Sequence, residues 1–118
     1  MMAPSIVEFD DGLLVLGSGG SERIRSALTR VITLMTGADA DLADAIEAPR
    51  LHVDTSGVVQ VEPGLAADQL AALEEFAPVN EWSERHFYFG GVNGVQVHGD
   101  GRLSAHADPR RGGAWRLV

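Results

Sequence analysis

The 118-residue chain contains no cysteine. That excludes disulfides, thiolate metal sites and a cysteine nucleophile, and it fits a reducing compartment. Positive charge is scarce: nine basic residues face seventeen acidic ones, giving a formal net charge of -8. A nucleic-acid groove or an anionic membrane surface needs a basic footprint. Neither partner is therefore expected, and Arg110-Arg111 is left as a local basic pair. No run approaches the ~18 apolar residues of a membrane-spanning helix. The opening MMAPSIVEFDDG has no basic stretch followed by an apolar one, so no signal peptide is read and the cytoplasm is the default compartment. Linkers, repeats and low-complexity segments are also missing. What remains is 45% hydrophobic and 22% charged, a composition of folded proteins. Its length fits a single domain, residues 1–118, with a modest core.

The pattern predicts an α+β fold with mainly antiparallel sheet and two to three helices. PSIVEF and LLVL flank DDG, a hairpin signal. Ile24, Leu28, Val31 and Met35 then recur on one helical face, with Ser18 or Ser21 as cap and Gly37 as stop. A short helix is predicted over Asp41–Glu47, capped by Asp39 and closed by Pro49. RLHVD and VVQVEP flank TSG as a second hairpin. Asp68–Phe76 predicts a third helix, with Leu70, Leu73 and Phe76 inward. The stretch from His86 to Pro109 is strand-rich, with Phe87 and Phe89 on one strand face in the core and Tyr88 outward. It turns at Gly99–Gly101, and AWRLV reads as a last strand.

Between the strand at Leu13–Leu16 and the first helix lie Gly17, Ser18, Gly19 and Gly20. Backbone this bare at a strand-to-helix junction supports three readings. A phosphate loop would use the N–H groups of the helix start, but GxGxxG needs glycine where Glu22 stands, and the Gly-Lys pair of a P-loop is absent. An oxyanion hole would use two consecutive N–H groups, and needs a nucleophile facing them. A structural reading needs only small residues that let the helix pack on the strand.

Three His-x-Asp pairs, His52/Asp54, His98/Asp100 and His106/Asp108, place two potential metal ligands on one strand face. Turn chemistry accounts for their aspartates and no spacing suggests a third ligand, so no metal site and no cofactor are expected. Asp108, Arg110 and Arg111 read as an internal salt bridge and turn in preference to an anion-binding fork. Trp82 and Trp115 are isolated aromatics of either role, and Glu74-Glu75 is a solvated helix face.

Six segments, MMAPSIV, GSGGSERIRSAL, DLADAIEAPRLHV, VEPG, FYFGGVNGV and ADPRRGGA, occur in one order along the whole chain. Together they resemble the C-terminal part of the small subunit of gamma-glutamyltranspeptidases, members of the N-terminal-nucleophile hydrolase superfamily. The resemblance implies part of an αββα sandwich, built jointly by two subunits after self-cleavage of a precursor. It implies transfer or hydrolysis of a gamma-glutamyl group, as from glutathione, through an acyl-enzyme on an N-terminal threonine. It also implies an oxyanion hole from the family's Gly-Ser-Pro-Gly-Gly motif. Aligned without gaps, Gly20 and Ser21 occupy the two backbone donor positions, and Gly19 adjoins the substrate in place of the proline, whose loss leaves the loop less rigid. Serine as second donor is acceptable if its φ is negative, because the donor is the backbone N–H and not the side chain.

The family's nucleophilic threonine lies upstream of this region, and none of Thr29, Thr33, Thr36 or Thr55 is at a chain N-terminus. The paired serines that hold the substrate carboxylate precede Met-x-Pro, and Met1 stands at about the second of them. The groups that grip the substrate's α-amino nitrogen also belong upstream. The expectation is a chain that supplies an oxyanion loop and is inactive alone, completed by an upstream segment of the enzyme. The alternative is a non-catalytic relic that self-associates as a homo-oligomer, since half a sandwich exposes sheet edges and an apolar face.

Overall fold

In the computed structural model, which describes residues 2–118, β1 (Ser5–Phe9) and β2 (Gly12–Gly19) form the first hairpin. Phe9 stands opposite Gly12, so Asp10 and Asp11 alone make the turn. Alternation along β2 buries Leu14, Leu16 and Ser18 on one face. α1 (Arg23–Gly37) answers that face with Ile24, Ala27, Leu28, Val31 and Met35, all buried. α2 (Leu42–Glu47) adds Leu42, Ala45 and Ile46 to the same core.

The predicted caps are corrected. Neither Ser18 nor Ser21 caps α1: Glu22 holds the N-cap position, and the Ser18 hydroxyl donates to the Gly19 carbonyl at 3.0 Å. α2 is capped by Asp41, whose Oδ1 accepts from the Asp44 N–H at 2.8 Å, while Asp39 makes the preceding turn at φ 50°.

β3 (Leu51–Val53) and β4 (Val59–Val61) form the second hairpin, and β5 (Val79–Glu81) joins β4 in parallel. α3 (Ala67–Glu74) lies between β4 and β5 and has no fully buried residue. It ends two residues before Phe76, so helical spacing no longer turns that ring inward; Phe76 is 87% exposed. β6 (Gly91–His98) and β7 (Leu103–Ala107) form the last hairpin, giving one sheet of order β1-β2-β6-β7 and a second of order β3-β4-β5.

Phe87–Phe89 is a 3-10 turn and not a strand. His86 explains the change: its Nδ1 accepts from the Tyr88 N–H at 3.1 Å, capping the turn, and Gly90 ends it at φ 82°. Phe89 is buried as expected, whereas Phe87 is exposed. AWRLV forms no strand either. A second 3-10 turn (Pro109–Arg111) and Gly112 at φ 61° redirect the chain after β7, leaving Trp115 and Leu117 exposed.

Helices cover one face of the four-stranded sheet. On the other, the register sets Ile6 beside Val15 and Val15 beside Val95, with Leu13 and Leu103 flanking Val97. Ile6, Leu13, Val15, Val95 and Leu103 are all exposed.

Candidate functional site

Only Gly20, Ser21 and Glu22 separate the end of β2 from α1. Reversing the chain in so short a span takes unusual backbone: Gly20 has φ 132° and Ser21 φ 55°. The negative φ that was the condition for serine as second donor is thus not met at Ser21. A left-handed residue followed by Glu22 in the helical region (φ -59°, ψ -29°) is the alternation that turns successive N–H groups to one side. Serine in that region costs about 1–2 kcal/mol relative to ordinary helical backbone. The Gly20 and Ser21 carbonyls accept from Arg23 and Ile24, each at 3.1 Å, closing the first helical turn. The Ser21 N–H has no acceptor among the described residues. Beside the loop, a cavity of about 390 Å3 is lined by Ser21, Glu22 and Arg25 with Met2 and Ala3. A second, of about 230 Å3, is lined by Gly17, Ser18, Gly19 and Asn93.

The loop rests on the Gly90-Gly91 step. A Cβ on Gly20 would stand 3.1 Å from the Gly90 Cα, and one on Gly90 would stand 3.2 Å from the Gly19 carbonyl oxygen. A Cβ on Gly91 would meet the Arg111 Cδ at 2.6 Å. Gly20 and Gly90 serve close approach of backbone to backbone, and Gly91 makes room for the Arg111 side chain. The Phe87, Tyr88 and Phe89 carbonyls each accept from a different guanidinium: Arg111 at 3.3 Å, Arg23 at 3.2 Å and Arg50 at 3.2 Å. Arg23 also lies over the Tyr88 ring, 4.7 Å from its centre, and Tyr88 stacks on Trp82 at 5.0 Å.

Behind this segment lies a buried cluster of four charges. Arg50 meets Asp108 at 2.6 Å, and Arg110 makes a two-pronged pair with Glu62 and a further contact to Asp108 at 3.2 Å. Asp108 also accepts from the Val92 N–H at 2.8 Å and the Arg110 N–H at 2.9 Å. Arg50 and Arg110 both donate to the Ile46 carbonyl, and Arg110 to that of Ala48, filling the C-terminal acceptors of α2. Burial alone would raise the Asp108 pKa, but the Arg50 charge and the two N–H donors hold it below its ordinary value. Burial alone would lower that of Arg110, and the hydrogen bond and charge of Glu62 raise it above the usual arginine value. Of the internal salt bridge expected of Asp108, Arg110 and Arg111, the Asp108–Arg110 part is observed, while Arg111 donates to the Phe87 carbonyl.

A family model described as gamma-glutamyltranspeptidase matches residues 1–118. The chain belongs to the gamma-glutamyltranspeptidase family. It is 33% identical over 114 residues to glutathione hydrolase 5 proenzyme of Rattus norvegicus, covering 95% of this chain and 20% of that protein. The corresponding Homo sapiens protein is 32% identical over 100 residues, covering 83% of this chain and 17% of the relative. The chain thus spans about a fifth of the length of these relatives. Among solved structures it is similar to the Bacillus anthracis transpeptidase CapD, with TM-score 0.83, 25% identity, and coverage of 100% of this chain and 71% of that one. The T380A variant of Helicobacter pylori gamma-glutamyltranspeptidase gives TM-score 0.76 and 26% identity over 92% of this chain and 60% of its own. The α+β fold and mostly antiparallel sheet match part of the N-terminal-nucleophile hydrolase fold of these neighbours.

Within this gamma-glutamyltranspeptidase segment the other sequence candidates stay apart. His52 is buried against Ser26, Nδ1 to Oγ 2.8 Å, and its Nε2 has no partner among the described residues. Burial, then the Arg23 charge, lowers its pKa, so the ring is neutral at pH 7. Asp54 instead folds the β3–β4 turn, accepting from Ser56, Val58 and Gln60. His98 meets Ser104 at 2.8 Å and His106 meets Glu47 at 2.9 Å. Among the described residues, no three His, Asp or Glu side chains gather as a metal group. Thr29 and Thr33 line a different cavity on α1, Thr36 bonds the Ile32 carbonyl, and Thr55 sits in the β3–β4 turn. Met1, which the resemblance sets at about the second of the family's paired serines, lies outside the described residues. Sequence reading overlooked Arg50 and Glu62 as partners of Asp108 and Arg110. The available signal was a charge at the inner end of each short apolar strand, in APRLHV and VVQVEP.

Proposed function

We propose that these residues supply the oxyanion-stabilising half of a gamma-glutamyl transfer or hydrolysis site acting on glutathione-type substrates. Gly20 and Ser21 donate their backbone N–H groups to the developing oxyanion, and Gly19 borders the substrate. The observation that carries this reading is the positive-φ backbone of Gly20 and Ser21, with the Ser21 N–H unbonded among the described residues, on a loop that opens onto a cavity. The nucleophilic threonine comes from outside residues 1–118, since none of the four threonines here lines either cavity at the loop. The partner is an upstream segment of the same enzyme type, which covers the exposed face carrying Ile6, Val15 and Val95. Alone, the chain is inactive. The test is hydrolysis of a chromogenic gamma-glutamyl anilide by the chain, with and without the co-expressed upstream portion of a related gamma-glutamyltranspeptidase. Turnover is expected only with the partner, and is lost in Gly20→Ala. Turnover by the chain alone would refute the reading, as would none from a combination whose partner is active with its own segment.

The same apolar face favours a second reading, a non-catalytic module that self-associates as a homo-oligomer. Light scattering decides between them. Self-association with no turnover in either arm supports the second reading, whereas a stable monomer of 12.5 kDa that never complements removes both.

A further inference from the structure

Gly19, Gly20 and Ser21 have little stiffness of their own, and two of them hold positive φ. Such backbone persists only where its surroundings determine it. Gly19 pairs with Gly91 at the end of the sheet and is bridged by Met2, while the nearest backbone to Gly20 is that of Gly90, so the Gly90-Gly91 step is one of the supports that fix the loop. Gly90 in turn closes the 3-10 turn, whose three carbonyls are held by three guanidiniums from three separate parts of the chain. Arg23 comes from the first turn of α1, Arg50 from the α2–β3 connection and Arg111 from the second 3-10 turn. The aliphatic stem of Arg111 also covers Gly91, and Asp108 fixes the Val92 N–H immediately beyond it.

We propose that Arg23, Arg50 and Arg111 are positioning residues: by clamping the Phe87–Phe89 carbonyls they press Gly90 against the loop and preorganise the Gly20 and Ser21 donors. The inference rests on the oxyanion role given above, and its mechanism is electrostatic preorganisation at one remove. In this role the three arginines act through the Gly90 step and not on the oxyanion itself. Their loss lets the donors drift and so weakens a transition-state interaction, leaving substrate binding as it was.

Arg23→Met and Arg111→Met test this without disturbing the buried charges. The first readout is amide hydrogen exchange on the chain itself. Both variants should exchange about tenfold faster over residues 19–22 and 87–92, with β1 and β3–β4 unchanged. The second is gamma-glutamyl anilide hydrolysis in the complemented enzyme, where kcat should fall about 10- to 100-fold at unchanged KM. Unchanged exchange at the loop in both variants would overturn the clamp. So would an increase spread evenly over the chain, or a KM rise at constant kcat. If the wild-type combination shows no turnover, the oxyanion role fails, and the exchange readout still judges the clamp by itself.

Discussion

Replacing Asp108 with alanine removes the carboxylate that bonds the guanidiniums of both buried arginines. Arg50 loses its 2.6 Å partner, Arg110 loses a 3.2 Å contact, and the N–H groups of Val92 and Arg110 lose acceptors. Glu62 still faces Arg110, so the uncompensated charge is mainly that of Arg50. Breaking a buried pair this way costs about 3–5 kcal/mol, to which an unsatisfied buried N–H adds about 1–3. We therefore expect a loss of about 5 kcal/mol, against a total stability of roughly 6–18 kcal/mol for a domain of this length. In urea unfolding, with a slope near 1.5 kcal/mol/M, the midpoint moves down by about 3 M. Asp108→Asn keeps the volume and one acceptor, and should lose about 3 kcal/mol for the missing charge. The difference from wild type also depends on pH. The Asp108 carboxyl sits below its ordinary value in the folded protein. Its contribution is therefore fully present above the unfolded pKa of about 3.9 and is lost as pH falls through the lower folded value. The wild-type advantage should narrow below about pH 4. An Asp108→Ala variant within about 1 kcal/mol of wild type at neutral pH would refute the view that this cluster is electrostatically interlocked.

Ser21→Gly removes the left-handed strain and should stabilise the chain by about 0.5–1 kcal/mol, read by thermal unfolding; a loss of stability would show that the serine is not strained. Gly90→Ala places a methyl 3.2 Å from the Gly19 carbonyl oxygen at φ 82° and should cost about 2 kcal/mol, with chemical-shift changes concentrated at Gly19–Ser21 in an amide spectrum. In a proton NMR titration the His52 ring should titrate below the ordinary histidine value, because burial and Arg23 depress its pKa. Stability from the neutral ring is full above the unfolded value and fades as pH falls through the folded one. Asp54 should titrate at about 2, held there by the Ser56 and Gln60 hydrogen bonds, and Ser56→Ala should move it upward.

The elements legible in the sequence are those whose information is local. DDG, TSG and GDG mark hairpins whose strands pair across them, and the spacing from Ile24 to Met35 marks a helix that buries those residues. What escaped depends on distant partners. The parallel pairing of Val79–Glu81 with β4 is invisible in the three residues themselves. The 3-10 turn at Phe87–Phe89 is imposed by the His86 side chain, against a period-two pattern that otherwise favours strand. Gly19–Ser21 was legible as the tight turn from β2 into α1, but the sign of φ at Ser21 was not. That sign is set by the need to enter α1 within three residues while resting on Gly90. Asp108 and Arg110 were legible as a pair because they are neighbours; Arg50 and Glu62 were not, because Glu62 and Arg110 are 48 positions apart.

The way Arg110 fills the end of α2 has a consequence for the order in which the molecule is made. α2 has six residues, far too few to persist alone, and the carbonyl of its C-cap residue Ala48 waits for a guanidinium 62 positions further on. A ribosome therefore releases α2, β3 and β4 well before the side chain that locks them exists. The hairpins can form as they emerge, but the buried charges pair only when nearly the whole chain is available. Folding should be gated by that late long-range closure, and a nascent chain stalled before Arg110 should remain protease-sensitive at α2 while the β1–β2 hairpin region is already protected.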